Sequence, residues 1–200
     1  MRRFIPYLSL ALALGPLACA TQRPLRYPAE RVELGRFTFL PPNEPGWDRI
    51  TDEPGRWVAL RSGESHDETW VLKAELMGAP AFKSDEDCLA QTRQMVEADV
   101  NRTSSRYEAK SFEVDLWPKL GVRCARAQRS ATDTKPARES GGDAPMHLRL
   151  VTFYCAHPRN PEKAISLELS QRSDAGAEDP ELVRKAEAIA STLEFRDGFW

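Results

Sequence analysis

Four cysteines and three histidines are the side chains of this sequence best equipped for chemistry, and their spacing decides which chemistry is open to them. Cys124 and Cys155 fall on two consecutive stretches with strand patterning. An antiparallel hairpin that sets them opposite each other also sets Ser130 opposite Arg149 at the mouth of its loop, and such neighbours lie within reach of a disulfide. The alternative is two small buried side chains with no bond between them. Cys88 lies near a helix start, where a thiolate is stabilised. It faces inward, however, and an inert buried thiol is favoured over a nucleophile. His157 shares a strand face with Cys155, so with Cys124 a three-ligand metal site can be drawn. Zinc sites favour close pairs such as C-x2-C or H-x3-H, and none occurs, so no metal and no cofactor is expected. His66 and Asp67 sit in a polar loop and read as a solvated turn rather than an oriented base. No nucleophile elbow, zinc-protease helix, phosphate loop or dinucleotide fingerprint is found. No catalytic residue is assigned, and the chain reads as a protein other than an enzyme.

Aromatic side chains offer binding rather than turnover. Trp70 is in phase with a core face. Trp47 ends a turn and Trp117 ends a strand before Pro118, so each is a candidate for lining a surface groove, against a favoured core reading. Phe199 and Trp200 follow the breaker pair Asp197-Gly198. They read either as a docking contact, since exposed apolar patches mark interfaces, or as a tail folded onto the sheet.

These residues need elements to hold them. Phe37 and Phe39 alternate with polar neighbours, a period-2 strand signal that Pro41-Pro42 ends. Trp57 to Arg61 and Trp70 to Leu76 are two more strands, joined by a polar hairpin loop. Ser84 predicts a helix N-cap with Asp87 three residues on, and Leu89, Thr92, Val96 and Val100 recur at helical spacing. Strands are expected at Phe112 to Leu116, Leu120 to Gln128, Leu148 to Ala156 and Ile165 to Leu169. Residues 129 to 147 are rich in Ser, Thr, Asp, Gly and Pro and read as a long mobile loop. Asp179 and Pro180 open a last helix with Leu182, Ala186, Ile189 and Leu193 inward. The order predicts a single α+β domain, an antiparallel sheet of about six to seven strands with two main helices packed on it.

Composition and the N-terminus set the address. With 200 residues, 41% hydrophobic and 29% charged, the chain is the size of one globular domain, at roughly 100–200 residues each. Mean hydropathy of −0.52 argues against a polytopic membrane protein. Basic residues (28) nearly balance acidic ones (30) without a basic block, which argues against nucleic acid as a partner. Residues 1–20 show the three-part layout of a signal peptide: Arg2 and Arg3, an apolar run from Leu8 to Leu14, and small residues at Ala18 to Ala20. Cleavage after Ala20 would free a soluble protein starting at Thr21. Leu17-Ala18-Cys19 also resembles a bacterial lipobox, with Pro16 where that pattern prefers an aliphatic residue, and the resemblance implies that Cys19 is lipidated. The lipid-anchored reading is favoured: an outer-membrane lipoprotein facing the periplasm, held to the membrane by its N-terminal lipid. Loss of Arg2 and Arg3 with the leader moves the formal charge from −2 to −4. Residues 21–33 read as a tether, 34–195 as the domain and 196–200 as a tail.

The strand Phe37-x-Phe39 running through Pro41-Pro42 to Trp47, and the closing helix ending Ile189-Ala190-Ser191-Thr192-Leu193-Glu194-Phe195, resemble the PsbP-like α/β/α sandwich across residues 34 to 195. The Pro-Asn-Glu-Pro before Trp47 and the 129-to-147 loop depart from the usual layout. The resemblance implies an assembly factor or binding module rather than a catalyst. An unidentified envelope protein is therefore the expected partner, with a small-ligand protein using a Trp47–Trp117 groove as the alternative.

Overall fold

Eight strands pair in one antiparallel sheet in the order β1 (Arg23–Pro24), β4 (Asp48–Glu53), β5 (Arg56–Ser62), β6 (Thr69–Gly78), β10 (Asn160–Ser173), β9 (Met146–His157), β8 (Cys124–Asp133) and β7 (Tyr107–Leu116). A second sheet holds three short strands in the order β11 (Glu194–Phe195), β3 (Phe37–Phe39) and β2 (Val32–Leu34). The helices are α1 (Asp85–Thr103) and α2 (Leu182–Ala190). The computed structural model describes residues 23–35, 37–63, 67–78, 82–103, 105–118, 121–136 and 141–196. The expected signal peptide and its Cys19, His66, and the Phe199-Trp200 tail lie outside the described residues.

This architecture overturns the expected fold class. The described residues are mostly β, with eleven strands in two sheets, rather than a single sheet of six to seven strands under two helices. The strands that sequence patterning missed carry little local signal. In β4 the run Asp-Arg-Ile-Thr-Asp-Glu has one apolar residue, so no alternation marks it, and it is strand because β5 supplies its ladder from Leu60 to Arg56. β2 and β11 span three and two residues, too few to show a period. β3 was expected in the main sheet; Phe37, Thr38 and Phe39 are all buried, which fits a strand covered on both faces. The predicted 129-to-147 loop is shorter than expected, because β8 runs on to Asp133 and β9 begins at Met146.

Alternation sorts side chains onto two unequal faces. Leu72, Phe153, Ile165 and Leu167 meet Phe37, Phe39, Trp57, Leu182 and Ile189 in the principal core, so α2 and the small sheet cover that face. Full burial of a side chain such as Phe37 or Phe153 contributes about 1.5–3 kcal/mol. The other face meets α1, whose buried stripe is narrow: Cys88, Thr92 and Val96, packed over Ala125, Ala127 and Tyr154. The α1 start behaves as its sequence predicts. Asp87 N–H donates to Ser84 Oγ at 3.2 Å and Lys83 N–H to Asp87 Oδ2 at 2.8 Å. In front of α2, Asp179 Oδ1 accepts from Glu181 N–H at 2.7 Å; the regular helix begins at Leu182, two residues beyond Pro180. No helix among the described residues is long and apolar enough to cross a membrane.

Candidate binding groove

Because α1 packs on β7 and β8, most of the same face of β6, β10 and β9 has no helix over it among the described residues, and a groove of about 960 Å³ runs between the helix and these strands. Strand alternation made this face polar. β10 sends Ile165, Leu167 and Leu169 to the core and turns Ser166, Glu168, Ser170 and Arg172 the other way; β6 sends Trp70, Leu72 and Ala74 to the core and turns Val71, Lys73 and Glu75 outward. Register then builds rows across the floor. One reads Leu60, Val71, Ser170, Leu150, Arg129 and Phe112 from β5 to β7. The next reads Val58, Lys73, Glu168, Thr152, Ala127 and Val114.

Arg129 anchors the groove. Its side chain is only 10% exposed, yet its guanidinium donates to Asp99 Oδ2 of α1 at 2.6 Å and to Glu168 Oε2 of β10 at 3.3 Å. Thr152 Oγ1 donates to the same Glu168 oxygen at 2.9 Å. Burial works against the Arg129 charge, but the Asp99 hydrogen bond and the Glu168 carboxylate outweigh it and raise the guanidinium pKa. Nearby, burial pushes the Tyr154 hydroxyl up to about 12, so it stays a neutral phenol at physiological pH. Fixed charges that are already paired, together with Val71, Leu150 and Met95, can hold a surface by shape and hydrogen bonding. Among the described residues no three His, Cys, Asp or Glu side chains gather to hold a metal ion.

The residues singled out in the sequence are placed apart from this groove. Cys124 and Cys155 face each other in the ladder, with Ser130 opposite Arg149, and a disulfide joins them across a Cα separation of 4.2 Å within the principal core. His157 is buried; its Nδ1 accepts the backbone N–H groups of Arg159 at 3.2 Å and Asn160 at 3.1 Å, which holds the β9–β10 turn. His147 pairs through Nδ1 with Glu178. Cys88 is fully buried, and desolvation, helped by the Asp85 charge, pushes its thiol up to about 11. Trp47 is buried and lines a cleft of about 340 Å³ with Trp70, Leu169 and Ile189. Trp117 packs on Phe153 at a ring separation of 4.6 Å and does not line that cleft, so the structure does not bring the two tryptophans into one groove. Arg129 and Asp99 were missed because Arg129 stood at the edge of a presumed loop. The wet face of the Ser166-Glu168-Ser170 strand was the one signal that pointed here.

No known protein family has a model that matches this chain, and no curated protein matches it. Similar solved structures include cyanobacterial PsbP (CyanoP) from Synechocystis sp. PCC 6803, at 16% identity over 90% of this chain and 96% of that one, with a TM-score of 0.49. A variant of the protein Mog1 is 12% identical over 84% and 96%, with a TM-score of 0.44. Human STARD10 is 11% identical over 72% and 67%, with a TM-score of 0.31. These are weak likenesses of fold, and no functional inference follows from them.

Proposed function

We propose that this chain is a non-enzymatic binding module of the bacterial cell envelope, exported, anchored through a lipid on Cys19 in the outer membrane, and docking a protein partner on its periplasmic side. The observation that supports docking is the open groove beside α1. The groove is open, about 960 Å³ in volume, and sets Val71, Leu150 and Met95 beside the paired charges of Arg129, Asp99 and Glu168, so a docked surface meets apolar and hydrogen-bonding groups together. Its carboxylates Asp99 and Glu168 are engaged by Arg129. Among the described residues Cys124 and Cys155 are joined to each other and His147 pairs with Glu178, and Cys88 is a buried free thiol.

Photo-crosslinking in intact cells tests the reading. A crosslinking side chain at Val71 or Lys73 is expected to capture one defined envelope protein that the same probe at Glu181, exposed just ahead of α2 and outside both the groove and the Trp47 cleft, does not. Identical products from both positions would sink it. Mass spectrometry of the mature N-terminus tests the anchor: an acylated Cys19 is expected, and a free Thr21 overturns it.

A second reading, small-ligand binding, rests on the Trp47 cleft, whose size and walls of Trp47, Trp70, Leu169 and Ile189 suit a compact apolar molecule. Ala188 is exposed at its mouth. Thermal stabilisation by a ligand panel that Ala188→Trp abolishes would favour this reading, and no stabilisation by any compound would remove it.

A further inference from the structure

We infer that the outer edge of β7, over Ser111–Leu116, is a pairing site for an extended segment of a partner protein in which apolar side chains alternate with basic ones. The inference rests on the reading of the chain as a protein-binding module and narrows it to one edge and one partner chemistry. The main sheet ends differently on its two sides. At one end β1 is two residues long and includes Pro24, which has no N–H to offer a further strand. At the other, β7 is ten residues long and, among the described residues, pairs with β8 alone, leaving a row of backbone groups along roughly 33 Å.

Unprotected edges invite association, and proteins blunt them with bulges and charges. β7 has a bulge, between Ala109 and Ser111, but it shields only the first half of the strand. From Ser111 opposite Ser130 to Leu116 opposite Ala125 the register is unbroken. Within that stretch Phe112 is 39% and Leu116 36% exposed; with Tyr27 they are the exposed large hydrophobics of the described residues. Both point to the α1 side, flanking Val114, which packs into the α1 clusters. Among the described residues the one side chain that reaches the backbone of this stretch is Arg93, at 3.5 Å from the Val114 carbonyl, a long contact that a strand N–H would replace.

The opposite side of the stretch carries Ser111, Glu113 and Asp115. Ser111 is bonded to Ser130 and Asp115 is held by Arg126, while Glu113 has no ion pair among the described residues. Charges of one sign select a partner rather than forbid all partners. A second copy is disfavoured: antiparallel self-pairing that sets Phe112 against Leu116 also sets Glu113 against Asp115, and like charges directly opposite are destabilising. A strand with apolar residues at alternate positions and Lys or Arg between them covers Phe112 and Leu116 on one side and brings a cation to Glu113 on the other, beside Asp115, which Arg126 already holds, the geometry of strand addition to an open edge.

The test is hydrogen exchange, read by mass spectrometry on the mature chain with its anchor in zwitterionic detergent micelles. The probe is a capped ten-residue peptide alternating valine and lysine. Exchange over residues 111–116 is expected to slow roughly ten-fold at saturating peptide. A peptide alternating valine and glutamate should produce no slowing, and neither should the valine–lysine peptide N-methylated at alternate residues. Combined Phe112→Glu and Leu116→Glu should abolish the effect with an unchanged melting temperature. Absence of slowing in β7, slowing confined to β6 and β10, or persistence in the double variant overturns the edge assignment. The last three outcomes leave groove docking to be judged by the crosslinking from Val71 and Lys73, so the two failures are distinguishable.

Discussion

Arg129 on β8 and Asp99 on α1 are joined by a 2.6 Å charge-assisted hydrogen bond beneath a helix whose fully buried contacts with the sheet are Cys88, Thr92 and Val96. The same guanidinium reaches Glu168 on β10, so one side chain ties the helix to the floor of the open groove and fixes the distance between them.

Removing that tie leaves two acids facing a gap. Arg129→Met is expected to lower stability by about 2–3 kcal/mol, at or below the usual cost of breaking a buried pair because Asp99 keeps part of its hydration. Urea denaturation checks the magnitude. Faster amide exchange in α1 than in α2 would show that the helix has loosened from the sheet.

Asp133 has no side-chain exposure, and Arg106 meets it with parallel hydrogen bonds of 3.0 and 2.8 Å. Burial by itself would raise its pKa, but the Arg106 hydrogen bonds, the Lys135 N–H and the Arg106 and Arg172 charges together hold the carboxyl below its ordinary value. A lowered folded pKa stabilises the fold above the unfolded value of about 3.9, and the contribution is lost as pH falls through the folded pKa. Asp133→Asn should therefore cost about 3 kcal/mol at pH 7 and progressively less between pH 4 and pH 2, by denaturation at each pH.

The Cys124–Cys155 bridge closes a loop with a sequence separation of 31 residues, for which chain entropy accounts for about 3–4 kcal/mol. The double variant Cys124→Ala with Cys155→Ala is expected to lose that much. Wild type measured after reduction should fall to a similar stability, and an equal stability of all three forms would refute the estimate.

Cys88 should be silent toward alkylation in the folded chain. Its thiol is buried and pushed up to about 11, so at pH 8 the thiolate is scarce and shielded, and reactivity follows thiolate character and access. Iodoacetamide modification at Cys88 is expected to track unfolding as denaturant is added. Rapid modification in native buffer would contradict the packing of α1 described above.

How far the sequence could be read depended on whether an element's signal was local. Trp70 to Leu76 and Ile165 to Leu169 advertise their own wet and dry faces, Ser84 and Asp87 advertise a helix start, and the Cys124–Cys155 register follows from one hairpin. Asp48–Glu53 advertises nothing, because its partner Arg56–Ser62 makes it a strand. For the same reason the groove is half visible in the sequence: alternation marks Glu168 as solvent-facing, while the composition around Arg129 predicts a loop.

Alternation and helical spacing by themselves determined which residues share a face, since those periods are set by backbone geometry within a few residues; the alternation that predicts Phe112 and Leu116 inward with Val114 left both exposed, because what covers a face is a tertiary matter. Tertiary structure alone decided that Phe37–Phe39 lies in a second sheet, that Trp47 and Trp117 part company, and that α1 covers β7 and β8 while leaving β6 and β10 open. Those outcomes depend on pairings between segments as distant as Arg31 and Thr192 or Thr38 and Glu194. Such contacts are settled by competition among all strands for partners and burial, and no local pattern encodes the result.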